Sequence, residues 1–216
     1  MLEAVVFDMD GVLVESEQVW DEVRQAYVEQ RGGTWTDSAS TDQMGMSTPE
    51  WSAYLVERLG VPGPAEAVAE EVIDRVAEAL GDEPPLIDGA VHAVRTVASH
   101  YRVAVASSSP PRLIAAVLDA AQIRELFAAT VSSEEVPRGK PAPDVYLEAC
   151  RRLGVDPSRA AAVEDSSNGL RSAAAAGLRV LAVPNREYPP AADALQQAAR
   201  VLDAIAEVPA ALDELD

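Results

Sequence analysis

The run Ala4-Val5-Val6-Phe7 is apolar with no polar alternation, and two aspartates, Asp8 and Asp10, follow it just before Gly11. A strand with one wet face alternates apolar and polar side chains, whereas an unbroken run suits a strand covered on both faces of a parallel sheet. That points to an α/β fold, in which ligands gather at the carboxyl ends of the strands. Asp8 and Asp10 stand at such an end. Taken alone, Asp-x-Asp-Gly is equally a polar exit from a strand, so its meaning depends on what the other strand ends carry.

From Leu86 onward helix and strand signals alternate, as βα units of a parallel sheet do. The pattern predicts strands over Tyr101 to Ala106, Ala129 to Ser132, Ala160 to Val163 and Arg179 to Val183. It predicts helices over Ala90 to Ser99, Pro110 to Ala120, Pro143 to Leu153 and Asn168 to Ala176. Between the first strand and this region lie three helical stripes: Val19, Trp20, Val23 and Tyr27; Trp51, Leu55 and Leu59; and Val68, Val72, Val76 and Leu80. Ser47-Thr48-Pro49-Glu50 reads as the start of the second, with a hydroxyl cap, an early proline and a glutamate to reach back. The expected organisation is an α/β core of residues 1–14 and 85–216, interrupted by an all-helical unit over 15–84.

Charge narrows the partners. With 36 acidic against 17 basic residues the formal net charge is −19, which repels nucleic acid and anionic membrane surfaces. A phosphorylated ligand would meet the same repulsion, so any phosphate site needs local cations and backbone donors. No apolar run reaches the roughly 18 residues of a membrane span. Cys150 is the one cysteine; it excludes an internal disulfide and reads as a helix-face or core residue in a reducing compartment. No secretory signal precedes the first strand, so the expected location is cytoplasmic, as a monomer or weak homodimer. His92 and His100 have no carboxylate pattern around them and read as surface or capping residues.

Polar residues follow four of these strands: Asp8 and Asp10, then Ser107-Ser108-Ser109, then the loop carrying Arg138-Gly139-Lys140-Pro141, then Glu164-Asp165-Ser166. Parallel strands place their carboxyl ends on one edge, so these groups are expected to converge in one crevice. Lys140 adds an independent point, because it is the single lysine in a chain whose other basic residues are arginines. An ammonium is a compact charge with three rotatable donors, which a rigid guanidinium fork does not replace.

Asp8-Met9-Asp10-Gly11-Val12, Ser107, Lys140-Pro141-Ala142-Pro143-Asp144 and Glu164-Asp165-Ser166 resemble, in order and spacing, the four motifs of the haloacid dehalogenase superfamily. The likeness covers essentially the whole chain. The helical insertion is similar to the α-helical cap of the β-phosphoglucomutase-like and phosphoglycolate-phosphatase-like branch. This resemblance implies a Rossmann-like core, a Mg²⁺ ion and a phosphoaspartyl intermediate formed on Asp8. It implies metal binding by the Asp8 carboxylate, the Asp10 backbone carbonyl and Asp165, with Glu164 a direct or water-mediated ligand. Ser107, Ser108 and Lys140 would hold phosphoryl oxygens. Asp10, its side chain free of the metal, would protonate the leaving oxygen and then activate water, the reversal of role that two-step covalent catalysis requires.

Single positions separate the branches. Haloacid dehalogenases themselves match only through the first aspartate, so Asp10 points to phosphoryl transfer. Phosphonate-cleaving relatives use a cap lysine that this chain lacks. In β-phosphoglucomutases a histidine falls about where Trp20 stands here and an arginine about where Thr48 stands. Their absence favours a Mg²⁺-dependent phosphatase of small phosphorylated metabolites, such as sugar phosphates, over the alternative of a phosphosugar mutase. Candidate substrate selectors in the cap are Trp20, Arg24, Met44, Met46, Thr48 and Arg75, although Met and Trp at helix spacing serve packing as well. A signalling receiver would place its lysine after the acidic cluster, and a catalytically dead binding module would not need the full set of catalytic side chains.

Overall fold

The run Ala4–Phe7 forms strand β1 inside a parallel sheet, in a computed structural model that describes residues 1–43, 46–186 and 189–215. Four helices follow: α1 (Glu17–Gln30), α2 (Ala39–Asp42), α3 (Thr48–Glu57) and α4 (Ala65–Leu80). The alternating region then runs α5 (Ala90–Ala98), β2 (Arg102–Ser107), α6 (Pro111–Ala120), β3 (Phe127–Ser132), α7 (Asp144–Leu153), β4 (Ala160–Glu164), α8 (Ser167–Ala175) and β5 (Arg179–Ala182). The chain closes with α9 (Ala192–Leu195), β6 (Arg200–Val201) and α10 (Val208–Asp213).

Among the described residues the sheet has six strands in the order β3-β2-β1-β4-β5-β6, every pair parallel. This is a Rossmann-like α/β architecture. Strand β1 lies between β2 and β4, where the direction of winding reverses, and Phe7 is in register with both Val105 and Val163. The residues just beyond those three open into the crevice where such sheets bind ligands.

Strand periodicity sorts the core into two layers. Val5 and Phe7 join Val103, Val105 and Val163 under α5, α6 and α10, and this layer continues into the helical insertion. Ala4 and Val6 face the other way with Ala104, Ala106, Ala160 and Ala162, covered by α7 and α8. The second layer is dominated on its strand side by alanine, so α7 and α8 can approach the sheet closely. Cys150 belongs to this layer, where burial raises its thiol to about 11.

The helical stripes behave as their spacing predicts. Trp51, Leu55 and Leu59, and Val68, Val72, Val76 and Leu80, are all buried. The Ser47 backbone N–H donates to Glu50 Oε2 at 2.8 Å, as a capping box requires. Segment 15–84 carries no strand among its described residues.

Other expectations need correction. Strands β2 and β4 each run one residue further than predicted, so Ser107 and Glu164 are strand residues, fully buried rather than on a loop. Strand β6 and helices α2 and α9 are too short to leave a periodic signal, and β6 consists of two exposed residues. Helix α10, for which the sequence pattern made no prediction, buries Val208, Ala211 and Leu212 against the sheet layer.

Candidate active site

The four polar strand ends meet beneath the helical insertion. The Asp8 N–H donates to the Val163 carbonyl, which carries the sheet pattern one residue past β1. Asp8, Glu164 and Asp165 are buried, and each offers an oxygen lying within 4.8 Å of the others. Lys140 enters from the loop before α7. Its Nζ donates to Asp8 Oδ1 at 2.8 Å and to Glu164 Oε1 at 2.6 Å. Two of the ammonium's three protons are thus committed, and the third is left for an incoming oxygen.

Glu164 is fully satisfied. Besides Lys140, Tyr146 donates its hydroxyl to Oε1 at 2.7 Å, and Oε2 accepts from the N–H groups of Asp165 and Ser166 and from Ser166 Oγ. Ser166 also caps α8 by accepting from Gly169 N–H at 3.1 Å, which sets the carboxylate at a positive helix end. Gly169 is obligatory here, since a Cβ would fall 1.8 Å from Glu164 Oε1. Gly11 is fixed twice: its φ of +77° favours glycine, and a Cβ would fall 2.0 Å from Asp165 Oδ2.

Burial pushes the Asp8 carboxyl up to about 8; Lys140 opposes this, and Glu164 and Asp10 add to it. Asp165 lies well above the usual carboxylate range through burial first and the charges of Glu164 and Asp8 next. Burial alone would lower Lys140, but Asp8 and Glu164 outweigh it and leave the ammonium raised. Three carboxylates facing one ammonium lack positive charge. Asp165 Oδ1 is moreover buried without a hydrogen-bond partner. An orphaned oxygen within an all-oxygen donor set fits a hard divalent cation such as Mg²⁺.

The Asp10 carboxylate is not among the three clustered acids and is held by serines: Oδ1 accepts from Ser16, and Oδ2 accepts from Ser107 at 3.0 Å and Ser109 at 2.8 Å. Ser107, expected on the phosphoryl group, is turned onto Asp10 and receives the Ser109 N–H through its own oxygen. The reason is the longer β2, which keeps Ser107 inside the sheet edge; Ser108 and Ser109 line the pocket instead.

The pocket extends from this acidic floor to a wall made by α1, the segment after α2, and α3. Of the candidate selectors, Trp20, Arg24, Met46 and Thr48 line it, together with Gln43 and Trp51. Trp20 and Trp51 meet edge to face, with ring centroids 5.9 Å apart. Arg75 is a correction. It donates to Gln30 Oε1 at 2.8 Å and stacks over Tyr27, on the side of α4 that faces α1 away from the pocket. Met44 lies outside the described residues.

Sequence reasoning missed Ser16, Gln43 and Tyr146. Tyr146 had a findable signal, since it sits on the first turn of a helix that begins just after the Lys140 loop. Gln43 and Ser16 act through contacts made only by the folded chain. His92 and His100 are exposed, as expected. Among the described residues no helix is long and apolar enough to cross a membrane.

Residues 2–177 match the family described as haloacid dehalogenase-like hydrolase. The chain is 34% identical over 187 residues to hexitol phosphatase B of Escherichia coli K12, covering 85% of this chain and 84% of that one. It is 31% identical over 180 residues to a phosphorylated carbohydrates phosphatase of Thermotoga maritima, covering 82% of each. The crystal structure of CbbY from Rhodobacter sphaeroides in complex with phosphate superposes with a TM-score of 0.84, at 29% identity and 96% coverage of both chains.

Proposed function

We propose that this chain, which belongs to the haloacid dehalogenase-like hydrolases, is a Mg²⁺-dependent phosphoric monoester hydrolase of small phosphorylated metabolites of the sugar phosphate kind, acting through a phosphoaspartyl intermediate. The observation that carries the reading is the buried contact of Asp8 with Lys140, beside Asp165 and Glu164, at the floor of a pocket closed by a helical wall. The two phosphatase relatives act on phosphorylated carbohydrates or hexitols by name. On this reading residues 15–84 are a cap over a core of 1–14 and 85–216, and the protein works in the cytoplasm.

Asp8 and Asp165 would hold the metal, with Glu164 supporting it directly or through water. When bound, Mg²⁺ relieves the repulsion between a carboxylate and an anionic phosphoryl group. Asp8 attacks phosphorus; the new O–P bond forms as the bond to the alkoxy oxygen breaks. Lys140 gives its free proton to a phosphoryl oxygen as a hydrogen bond and keeps Asp8 oriented. Asp10 serves as the general acid that passes a proton to the departing oxygen. The same carboxylate then takes a proton from water as that water attacks the phosphoaspartate, which restores Asp8 and releases inorganic phosphate. Ser16, Ser107 and Ser109 hold Asp10 in place for both roles.

Release of inorganic phosphate from p-nitrophenyl phosphate, measured with Mg²⁺ in the native chain and in Asp8→Asn, tests this directly. The native chain is expected to turn over and the variant, folded by circular dichroism, to be silent. Full activity of the variant ends the proposal.

A further inference from the structure

Arg24 is poised for a ligand that no protein group supplies. Its guanidinium lies 4.6 Å from the centroid of the Trp20 ring and 4.8 Å from that of Trp51. Neither contact uses its hydrogen-bond donors. Among the described residues it makes no hydrogen bond or ion pair, and its Nε is buried without a partner. Asp21 and Asp10, the carboxylates whose charges reach it, form no ion pair with it: Asp21 Oδ2 accepts from Ser40 at 2.8 Å, and both Asp10 oxygens take serine hydroxyls. Gln43 repeats the pattern. It is 2% exposed, its Nε2 is tied to the Ala39 carbonyl at 2.9 Å, and its Oε1 is buried and unpartnered.

Both residues line the pocket whose floor is Asp8. Among its described lining residues the cations are two, Lys140 at the floor and Arg24 at the cap wall. In a chain of net charge −19, an unengaged cation is a strong determinant of which anion enters. Lys140 serves the phosphoryl end. The planar fork of Arg24 suits a second carboxylate or phosphate, whose paired oxygens it can meet side by side. A neutral hydroxyl cannot make the paired charge-assisted contacts that this fork offers.

We propose that Arg24, framed by Trp20 and Trp51, binds a second anionic group of the substrate while Gln43 Oε1 accepts from a neighbouring hydroxyl, so that the pocket selects hydroxylated phosphomonoesters with an acidic far end. The inference rests on the phosphatase reading for its kinetics and adds the substrate class to it.

Three esters of similar skeleton test it: gluconate 6-phosphate, with a carboxylate end; glucose 1,6-bisphosphate, with a phosphate end; and sorbitol 6-phosphate, with a neutral end. Their kcat/KM values are compared in the native chain, Arg24→Gln and Arg24→Lys. One acid-ended ester is expected to exceed the neutral one by about ten-fold or more, the size of one charge-assisted contact. Arg24→Gln is expected to collapse that ratio and Arg24→Lys to restore part of it. Which acid-ended ester loses more identifies the anion. A native preference for the neutral ester, or an equal loss on all three in Arg24→Gln, overturns the proposal.

A binding measurement keeps it testable apart from turnover and apart from the folding of the variants. Because the guanidinium rests against two indoles, an anion that engages it is expected to change the native chain's tryptophan emission. Gluconate should do so at lower concentration than sorbitol. Equal responses, or none, count against the inference. If no ester is hydrolysed but gluconate is preferred, the phosphatase reading fails and this one stands.

Discussion

The floor and the cap wall of the pocket are built on opposite terms. At the floor, Glu164 receives five donors, Lys140 spans two carboxylates, and Gly11 and Gly169 leave no room for a Cβ. At the wall, Arg24 and Gln43 are held by packing and one backbone contact, with polar atoms left over. Chemistry common to many substrates is placed where the sheet fixes it. Recognition of a particular substrate is placed where side chains retain unused hydrogen-bonding capacity.

The largest expected break in this contrast is Asp8→Asn, which should lower phosphate release by about a thousand-fold or more, since the nucleophile acts as part of a unit. Steady-state assay with an aryl phosphate checks it. Lys140→Met should come next. It leaves Asp8 and Glu164 buried without their cation, at a cost of about 3–5 kcal/mol, to be read from urea unfolding of the metal-free protein. A smaller loss there would mean that the floor is less tightly determined than its contacts suggest.

Protonation sharpens the same contrast. With Asp8 raised to about 8 in the metal-free chain, a proton competes with Mg²⁺ below that pH. Affinity should fall by about ten-fold for each unit of acidification if one proton is displaced, and calorimetry in buffers of different ionisation enthalpy should register its release. The sign for stability follows from linkage. A carboxyl whose folded value exceeds its unfolded 3.8 stabilises the fold while protonated. That contribution is complete below its unfolded value and is lost as pH rises through about 8. Thermal unfolding with EDTA should show the loss, and Mg²⁺ should reverse it.

Two milder variants compare the walls directly. Tyr146→Phe removes one of the donors to the buried Glu164 and should cost about 1–3 kcal/mol. Gln43→Met deletes an orphaned oxygen along with the hydrogen bond that Nε2 donates to the Ala39 carbonyl, and should change stability by under about 1 kcal/mol. Equal costs at the two positions, measured by urea unfolding, would erase the distinction between floor and wall.

Much of the floor is legible in the sequence because its residues are tied to strand ends, and strand ends are marked by where apolar runs stop. Asp8, Lys140, Glu164 and Asp165 converge as parallel pairing requires. Ser107 was expected one residue beyond its strand but is the last residue of β2, where its hydroxyl donates to Asp10. The wall is less legible. Trp20, Arg24, Met46 and Thr48 reach the pocket, whereas Arg75, with the same composition and a comparable helix position, packs over Tyr27 instead. Helical periodicity identifies a face, but which neighbour that face meets depends on how the helices cross, and no local pattern records that. Gln43 lies just beyond a helix of four residues, too short to announce itself.

The alanine-lined side of the sheet ties catalysis to a place far from any ligand. Ala160 and Ala162 let α8 settle close to β4, and α8 brings Gly169 against Glu164. Enlarging either alanine would overpack this layer, at a cost of about 1–3 kcal/mol, and press α8 away from the strand that carries Glu164. In a mutational library, substitutions on this inner surface should therefore lower turnover together with melting temperature, although none of them touches the pocket.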